Sequence, residues 1–236
     1  MIRINKYLSE AGHCSRRAGD KLIEAGRVTI NEELALIGSK VSLEDVVKVD
    51  GKLIGTQDEF VYMLFNKPKG ITCTTDKAIK GNIIDYINYH KRIFHVGRLD
   101  KASEGLIIMT NDGDIVNKVL RSRNDHEKEY VVTVHKAVTD EFLESMSSGV
   151  PILDTLTKNC KVEKISDRTF KIILTEGLNR QIRRMCEYLN YEVVDLKRVR
   201  IMNLHLDIPV GKWRYLTDKE LHELNSSTDS SHKTDK

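Results

Sequence analysis

The stretch His95-Val96-Gly97-Arg98-Leu99-Asp100-Lys101-Ala102-Ser103-Glu104-Gly105-Leu106-Ile107-Ile108-Met109 decides how the rest of the chain is read. Its apolar run from Leu106 to Met109 has the composition of a buried strand, and Arg92 to Val96 reads as a shorter strand before it. Between them Gly97-Arg98-Leu99-Asp100 makes a tight loop, and Gly97 and Gly105 let another backbone or a ligand come close. A carboxylate in a loop between two core strands is held in place yet open to a substrate. Taken alone, Asp100 reads as a turn cap, because Asp is a common turn residue.

Outward from this loop the pattern alternates between strands and helices. Phe60 to Phe65 reads as an apolar strand ending at Asn66-Lys67-Pro68-Lys69-Gly70, a loop that Pro and Gly enforce. Asn82 is placed to cap a helix running to Tyr89, and Asn111-Asp112-Gly113-Asp114 to turn into a helix ending at Leu120. Glu127 to Val134 is a strand with Tyr130, Val132 and Val134 on one face. Thr139 to Met146 reads as a helix, the region of Pro151 as a bend, and Lys161 to Ile165 and Phe170 to Leu174 as strands. A helix from Leu178 to Leu189 follows, then a bent or bulged strand from Val193 to Leu206 and a last helical turn from Lys219 to Leu224. Asn225 to Lys236 is polar and Ser-rich without an apolar residue, so disorder is expected there. Strands joined both by hairpins and by helices indicate an α+β domain with a mixed, largely antiparallel β-sheet flanked by helices. No internal repeat, P-loop or G-x-G-x-x-G is present.

The first sixty residues have a different texture. Ile4, Tyr7, Leu8 and Ala11 recur at helical spacing before Gly12, and Ser15 is a good N-cap for a second helix from Arg16 to Ala25. Val28 to Ile30 and Leu34 to Leu36 are short strand candidates. Val46 to Val49 and Lys52 to Ile54 flank Asp50-Gly51, the signature of a type I′ hairpin turn. The two helices carry Arg3, Lys6, Arg16, Arg17, Lys21 and Arg27 against Glu10, Asp20 and Glu24, a basic edge able to sit on phosphates or simply a solvated face.

With 38 basic and 35 acidic residues the net charge is only +3, so bulk charge identifies no polyanionic partner and local clustering has to be weighed instead. Cys14, Cys73, Cys160 and Cys186 form no C-x-x-C pair, which argues against a zinc site and a disulfide framework and fits a reducing cytoplasm. Met1-Ile2-Arg3-Ile4-Asn5-Lys6 has no apolar signal region and no run approaches membrane-spanning length, so a soluble, cytoplasmic protein is expected.

Two further segments bear on Asp100. In the helix around Ile182, at about 100° per residue, Ile182, Met185, Cys186 and Leu189 fall on one arc, and Arg180, Arg183 and Arg184 on the opposite one. The planar guanidinium fork suits a buried carboxylate or phosphates; a solvated face with Arg183 and Glu187 paired at i, i+4 is the plainer reading. Lys197, Arg198, Arg200, Lys212 and Arg214 extend the basic character, diluted by Asp195 and Asp207. In Asp125-His126-Glu127-Lys128-Glu129-Tyr130, the tyrosine offers a flat face for a base and a phenol for proton transfer, or else it is an ordinary half-buried sheet residue.

Arg3-Ile4-Asn5-Lys6-Tyr7-Leu8, Cys14-Ser15-Arg16-Arg17, Ile23-Glu24-Ala25-Gly26-Arg27-Val28 and Val46-Val47-Lys48-Val49-Asp50-Gly51 resemble an S4 RNA-binding domain, with Asn31-Glu32 where such domains usually have Asn-Gly. Gly97-Arg98-Leu99-Asp100, Glu127-Lys128-Glu129-Tyr130 and Glu176-Gly177-Leu178-Asn179-Arg180-Gln181-Ile182-Arg183-Arg184-Met185 resemble the motifs of RNA pseudouridine synthases of the RsuA type, in which an S4 domain comes first. Asn124-Asp125-His126, Gly149-Val150-Pro151-Ile152-Leu153 and Arg200-Ile201-Met202-Asn203 are similar to the RluF branch, which modifies large-subunit ribosomal RNA. The chain departs from those patterns at Lys101-Ala102-Ser103, where Asp often follows the Lys, and at His95, where the branch often has Pro.

The resemblance implies an S4-like domain over 1–54, a linker over 55–59, a catalytic domain over 60–224 and a disordered tail over 225–236. It implies isomerisation of a uridine to pseudouridine in structured RNA, a stem-loop of large-subunit ribosomal RNA with a transfer RNA as a further substrate, without a metal or cofactor; a monomer is the default expectation. Asp100 would be the essential carboxylate, Arg183 the basic partner that keeps it ionised, and Tyr130 the group that stacks on uracil and helps move the C5 proton. Arg98 would fill the space left by the flipped base or hold an adjacent phosphate. Arg180, Arg184, Arg3, Lys6, Arg16, Arg17 and Arg27 would contact RNA.

Two readings from other classes stay open on the residues alone. One is a non-catalytic S4-domain RNA-binding or ribosome-assembly factor, which has no need of Asp100, Tyr130 and Arg183 together. The other is a glycosidase with Asp100 as nucleophile, which needs a second carboxylic acid; Glu104 is the one acidic residue close by in sequence.

Overall fold

The computed structural model describes residues 1–42, 44–55, 59–120 and 125–230. Two compact units are present: Met1–Val61 with Tyr89–Ile93 and Asn111–Gly113, and Tyr62–Asn88 with Phe94–Thr110 and the chain from Asp114 on. Residues 56–58 of the expected linker, Asn124 and residues 231–236 of the expected tail lie outside the described residues.

In the first unit, β1 (Ile2–Arg3), α1 (Ile4–Glu10), α2 (Arg16–Glu24), β2 (Val28–Ile30), β3 (Glu33–Leu34), β4 (Lys40–Val41), β5 (Val47–Val49) and β6 (Lys52–Leu53) follow one another. Ser15 caps α2 by accepting from Ala18 N at 3.2 Å. The apolar sides of the helices (Ile4, Tyr7, Leu8, Ile23) pack with Val28, Val47 and Val49 of the sheet β3-β2-β5-β6, and β1 pairs with β4. Asp50 and Gly51 lie at φ 51° and 74°, as a type I′ turn requires. Asn31 and Glu32 adopt the same left-handed pair at φ 50° and 71°. Glu32 does so without being glycine, because the Asn31 side chain ties the turn to Val46 N (2.9 Å) and Asp45 (2.8 Å).

The second unit is built on one mixed sheet. Its elements are β7 (Tyr62–Lys67), α3 (Ile83–Ile87), β8 (Phe94–Val96), β9 (Glu104–Thr110), α4 (Gly113–Leu120), β10 (Lys128–Val134), α5 (Asp140–Ser147), β11 (Pro151–Ile152), β12 (Thr155–Leu156), β13 (Lys161–Ser166), β14 (Thr169–Leu174), α6 (Gln181–Tyr188), β15 (Val193–Ile201), β16 (Leu204–His205), β17 (Trp213–Tyr215) and α7 (Asp218–Ser230). The order is β13-β14-β10-β15-β9-β7-β17, with β16 on β15 and β8 on β9. Every pairing is antiparallel except β9 with β15, where Lys197 faces Glu104 and Arg198 faces Gly105. That parallel seam joins the half of the sheet carrying β9 to the half carrying β10. β7 and β9 are buried almost throughout, the mark of strands covered on both faces, whereas β10 alternates. Leu64, Leu106 and Ile108 pack with Ile115 and Val119 of α4, with Ile201 and Leu204, and with Leu224 of α7.

Several expected elements change. The strand expected over Val193 to Leu206 is the hairpin β15–β16, turned at Met202 (φ 50°). β17 is an additional edge strand that pairs Trp213 with Phe65. β7 starts later than expected and runs on through Asn66 and Lys67, and α6 starts at Gln181 because Arg180 is left-handed (φ 50°). The bend at Pro151 is a small hairpin of β11 and β12.

The disorder expected from Asn225 does not hold for 225–230, which continue α7. Thr217 and Glu220 close a reciprocal capping box at its start: Glu220 N donates to Thr217 Oγ1 (3.2 Å) and Thr217 N donates to Glu220 Oε2 (2.8 Å). Ser226 and Ser227 then donate their hydroxyls back to the His222 and Glu223 carbonyls, so the serines are absorbed by the helix.

Candidate active site

Asp100 sits in the loop between β8 and β9, and neighbouring segments tie that loop down. Gly70 N donates to Lys101 O (2.8 Å), Leu99 N to Cys73 Sγ (3.4 Å) and Ser103 N to Asp100 O (3.0 Å). His95 Nδ1 lies 2.7 Å from Gly97 O; a carbonyl only accepts, so Nδ1 carries the hydrogen. Burial pushes the His95 imidazole below its ordinary pKa, which keeps it neutral. Lys67, fully buried at the end of β7, clamps the segment beneath by donating to Pro68 O (2.8 Å) and Ile71 O (3.0 Å). Burial lowers the Lys67 pKa, while the nearby Cys73, Asp100 and Glu104 oppose that.

From α6, Arg183 approaches the loop from the other side. Its Nη2 donates to Ser103 Oγ (3.1 Å) and its Nη1 to Val193 O (3.3 Å). Its buried Nε faces Asp100 Oδ2 at 3.7 Å, and Arg180 Nη1 lies 3.6 Å from the same oxygen. Two guanidiniums thus flank one carboxylate that keeps a third of its side-chain surface open. Arg183 is the interior member of the pair, 14% exposed, and Arg180 the outer one at 49%. Arg180 reaches Asp100 from the left-handed N-cap position of α6 (φ 50°). Gln181, 4% exposed, steadies this start of α6 by accepting from Leu178 N (3.1 Å) and donating to Glu176 (2.7 Å).

A cleft of about 980 Å³ is lined by Asp100, Arg98, Tyr130, Arg180 and Arg183 together. Its walls include Leu174, Leu178, Ile182, Leu196 and Ile201, apolar surfaces suited to a flat ring. Seven lysines and arginines but only two carboxylates, Asp100 and Glu176, line it. The small net charge of the chain therefore hides a strongly cationic hollow.

Of the residues expected to contact RNA, Arg98 is exposed on the rim, whereas Arg184 folds back onto Asn179 (3.0 and 3.2 Å). In the first unit Arg3, Arg16 and Arg17 are exposed. Lys6 pairs with Glu10 (3.3 Å), and Arg27 is engaged by both oxygens of Asp50 (2.7 and 2.5 Å). Glu104, the second acid a glycosidase would need, is turned to Lys197 at 3.5 Å. Lys128 and Arg198 also line the cleft and carried no role in the sequence reading. The period-two alternation that singled out Tyr130 already puts Lys128 on the same face of β10.

Among the described residues no helix is long and apolar enough to cross a membrane, and no group of three or more His, Cys, Asp or Glu is placed to hold a metal ion.

Residues 2–47 match the S4 domain and residues 61–188 the RNA pseudouridylate synthase family. The dual-specificity RNA pseudouridine synthase RluF of Salmonella typhi is 57% identical over 225 residues, which cover 94% of this chain and 78% of that protein. Ribosomal large subunit pseudouridine synthase B of Bacillus subtilis is 34% identical over 239 residues, covering 97% of this chain and 98% of that one. A crystal structure of a pseudouridylate synthase superposes with a TM-score of 0.70 at 28% identity, over 95% of this chain and all of that one. This chain belongs to the RNA pseudouridylate synthase family, with an S4 domain ahead of the synthase domain.

Proposed function

We propose that this RNA pseudouridine synthase acts on a uridine in a stem-loop of large-subunit ribosomal RNA, with Asp100 as its essential carboxylate. What supports the substrate is the likeness to a dual-specificity synthase and to a large-subunit ribosomal synthase. The dual specificity of the first relative makes a transfer RNA stem-loop the second substrate to try. The protein works as a monomer in the cytoplasm, where ribosomal RNA is available to it.

In the reaction the bond between ribose C1′ and uracil N1 breaks, the uracil turns, C5 joins C1′, the C5 proton leaves and N1 takes up a proton. Asp100 cannot reach a stacked base, so the uridine is flipped out, at a cost of about a few kcal/mol that is least in a loop. Asp100 then faces the sugar and base, with the Arg183 and Arg180 guanidiniums on either side of it. Tyr130 stacks on the uracil and assists removal of the C5 proton. Arg98, exposed at the rim, fills the vacated stack or holds the next phosphate. The exposed Arg3, Arg16 and Arg17 of the S4 domain add affinity for phosphates that is indifferent to sequence.

The observation that carries this reading is one carboxylate, flanked by two guanidiniums at 3.6 and 3.7 Å, in the same cleft as Tyr130. The test is release of tritium from RNA labelled at uridine C5. Wild-type protein releases it, and Asp100→Asn abolishes release while RNA affinity stays within a few-fold. An Asp100→Asn variant that still released tritium would remove Asp100 from the chemistry.

A further inference from the structure

We propose that Lys128 and Arg198 form a cationic floor that takes up the negative charge of the uracil ring once its bond to the sugar has broken, an inference that rests on the isomerase reading above. Lys128 and Tyr130 are two residues apart on β10 and so project from the same face. Tyr130 is directly opposite Arg198 on β15, which puts all three side chains on one side of two adjacent strands. All three line the cleft, with Leu174 and Leu196 beside them.

Among the described residues both cations are kept without an anion. Arg198 is 3% exposed; its Nε donates to Leu106 O (2.7 Å), and its buried Nη2 has no partner among the described residues. Lys128 is half-buried and donates to the His126 carbonyl (3.1 Å). The charged group that acts on it is Arg198, another cation. A buried N–H without a partner costs free energy, and two neighbouring cations add repulsion. A fold that keeps both under a substrate cleft is arranged to receive negative charge there. The Lys128 ammonium is correspondingly brought down to about 8, first by burial and then by Arg198.

The isomerisation supplies that charge. When the C1′–N1 bond breaks, its electron pair leaves with the base and spreads over N1, O2 and O4. N–H groups of Lys128 and Arg198 aimed at the ring stabilise this anion more than the neutral base, which lowers the barrier rather than tightening binding. The pair then forms the new C1′–C5 bond, the C5 proton departs to solvent and N1 takes up a proton from solvent, so the two cations neither gain nor lose a proton over the cycle. Asp100 meets the sugar from the loop side, and the floor meets the base from the sheet.

The experiment compares wild type, Lys128→Gln and Lys128→Arg in single-turnover tritium release from C5-labelled RNA, with the RNA dissociation constant measured in parallel. Lys128→Gln keeps an N–H for the His126 carbonyl but removes the charge, so its rate falls by about 10²-fold, the scale of losing one preorganised donor. Its RNA affinity stays within about threefold, and Lys128→Arg recovers at least about tenfold of the lost rate. A purely structural lysine would not give this split of rate from affinity or this rescue. Arg198→Gln carries the same expectation, so a Lys128→Gln that does not fold leaves the proposal open to refutation. A Lys128→Gln rate within about threefold of wild type, or an arginine variant as slow as the glutamine one, overturns the floor while leaving the isomerase reading standing. Absence of tritium release from wild type would overturn both.

Discussion

Gly105→Ala should open the synthase domain at the seam beside its candidate active site. Gly105 lies at φ +115°, which side chains with a Cβ avoid, and an added Cβ would stand 2.6 Å from Arg198 N and closer still to the Arg198 carbonyl oxygen. These are backbone atoms of β15, which is hydrogen-bonded on its far side to β10, so they cannot move aside as the tip of a side chain would. Backbone strain of about 1–3 kcal/mol and overpacking of similar size add to a loss of about 2–6 kcal/mol. The parallel seam is two residue pairs long, so it has little with which to absorb that loss. The chain's single tryptophan, Trp213, is in β17 of this sheet, and its fluorescence in a urea titration follows this domain. With m of about 2–3 kcal/mol per molar urea, the midpoint falls by about 0.7–3 M. Activity falls as well, because Asp100 leads into β9 while Tyr130 and Arg198 are on β10 and β15. Gly211→Ala is the control. It is also left-handed (φ +77°), but its Cβ meets the hydroxyl of the exposed Tyr86, which can swing away, so the cost is about 1–2 kcal/mol. A Gly105→Ala midpoint no lower than that of Gly211→Ala would refute the reasoning.

Two other predictions follow from charged side chains. Glu220 is held at about 2, first by hydrogen bonds from Arg214, so its contribution to stability is present above the ordinary carboxyl range near pH 4.5 and fades as pH falls toward 2. Glu220→Gln should therefore melt below wild type at pH 7, with the gap closing between about pH 4.5 and 2; a gap independent of pH would mean that the carboxylate charge is not what holds α7. Arg16→Ala with Arg17→Ala should flatten the dependence of log affinity for RNA on log salt by about 0.7–0.9 for each phosphate no longer neutralised, and an unchanged slope would remove both arginines from the RNA interface.

Features that rest on short-range chemistry were legible in the sequence. The Ser15 cap, the Asp50-Gly51 turn and the alternation through Tyr130 each depend on residues within one turn or one strand, and each is where the pattern put it. The capping box of α7 was equally legible as Thr217-Asp218-Lys219-Glu220, but the serines beyond it drew the reading toward disorder. The rest depends on partners far along the chain. β17 is a strand because β7 needs an edge neighbour, and nothing within Trp213–Tyr215 announces that. The turn between β15 and β16 is marked in sequence by Asn203, but the left-handed residue is Met202, which is neither glycine nor asparagine. Arg27 counts as a free cation until Asp50 is brought against it. The Asp100–Arg183 pair came from motif resemblance rather than from spacing, since no periodicity relates a loop to a helix some eighty residues later. The burial of Arg198 follows only from the β9–β15 seam.

The depth at which the cleft holds its charges sorts their tasks. Asp100 is flanked by Arg180 and Arg183, and Glu176 accepts from Gln181 and from Lys158 N, so both carboxylates of the lining are already engaged. The remaining cations are left facing the hollow at two levels. Arg98 and Lys101 are exposed at the rim, beside Lys158 in its pair with Asp125 (2.8 Å), where a phosphate can stay partly hydrated and where salt screens the attraction. Lys128 and Arg198 are on the sheet beneath, where a hydrated phosphate would have to be stripped of water but a flat base, neutral when it enters, would not. A neutral ring that becomes anionic only after entry suits this lower level, because the desolvation of its charge is never incurred in water and the low dielectric strengthens each N–H contact as the charge appears. The rim therefore governs which RNA is held and how its affinity responds to salt, and the floor governs how fast a held uridine is turned over.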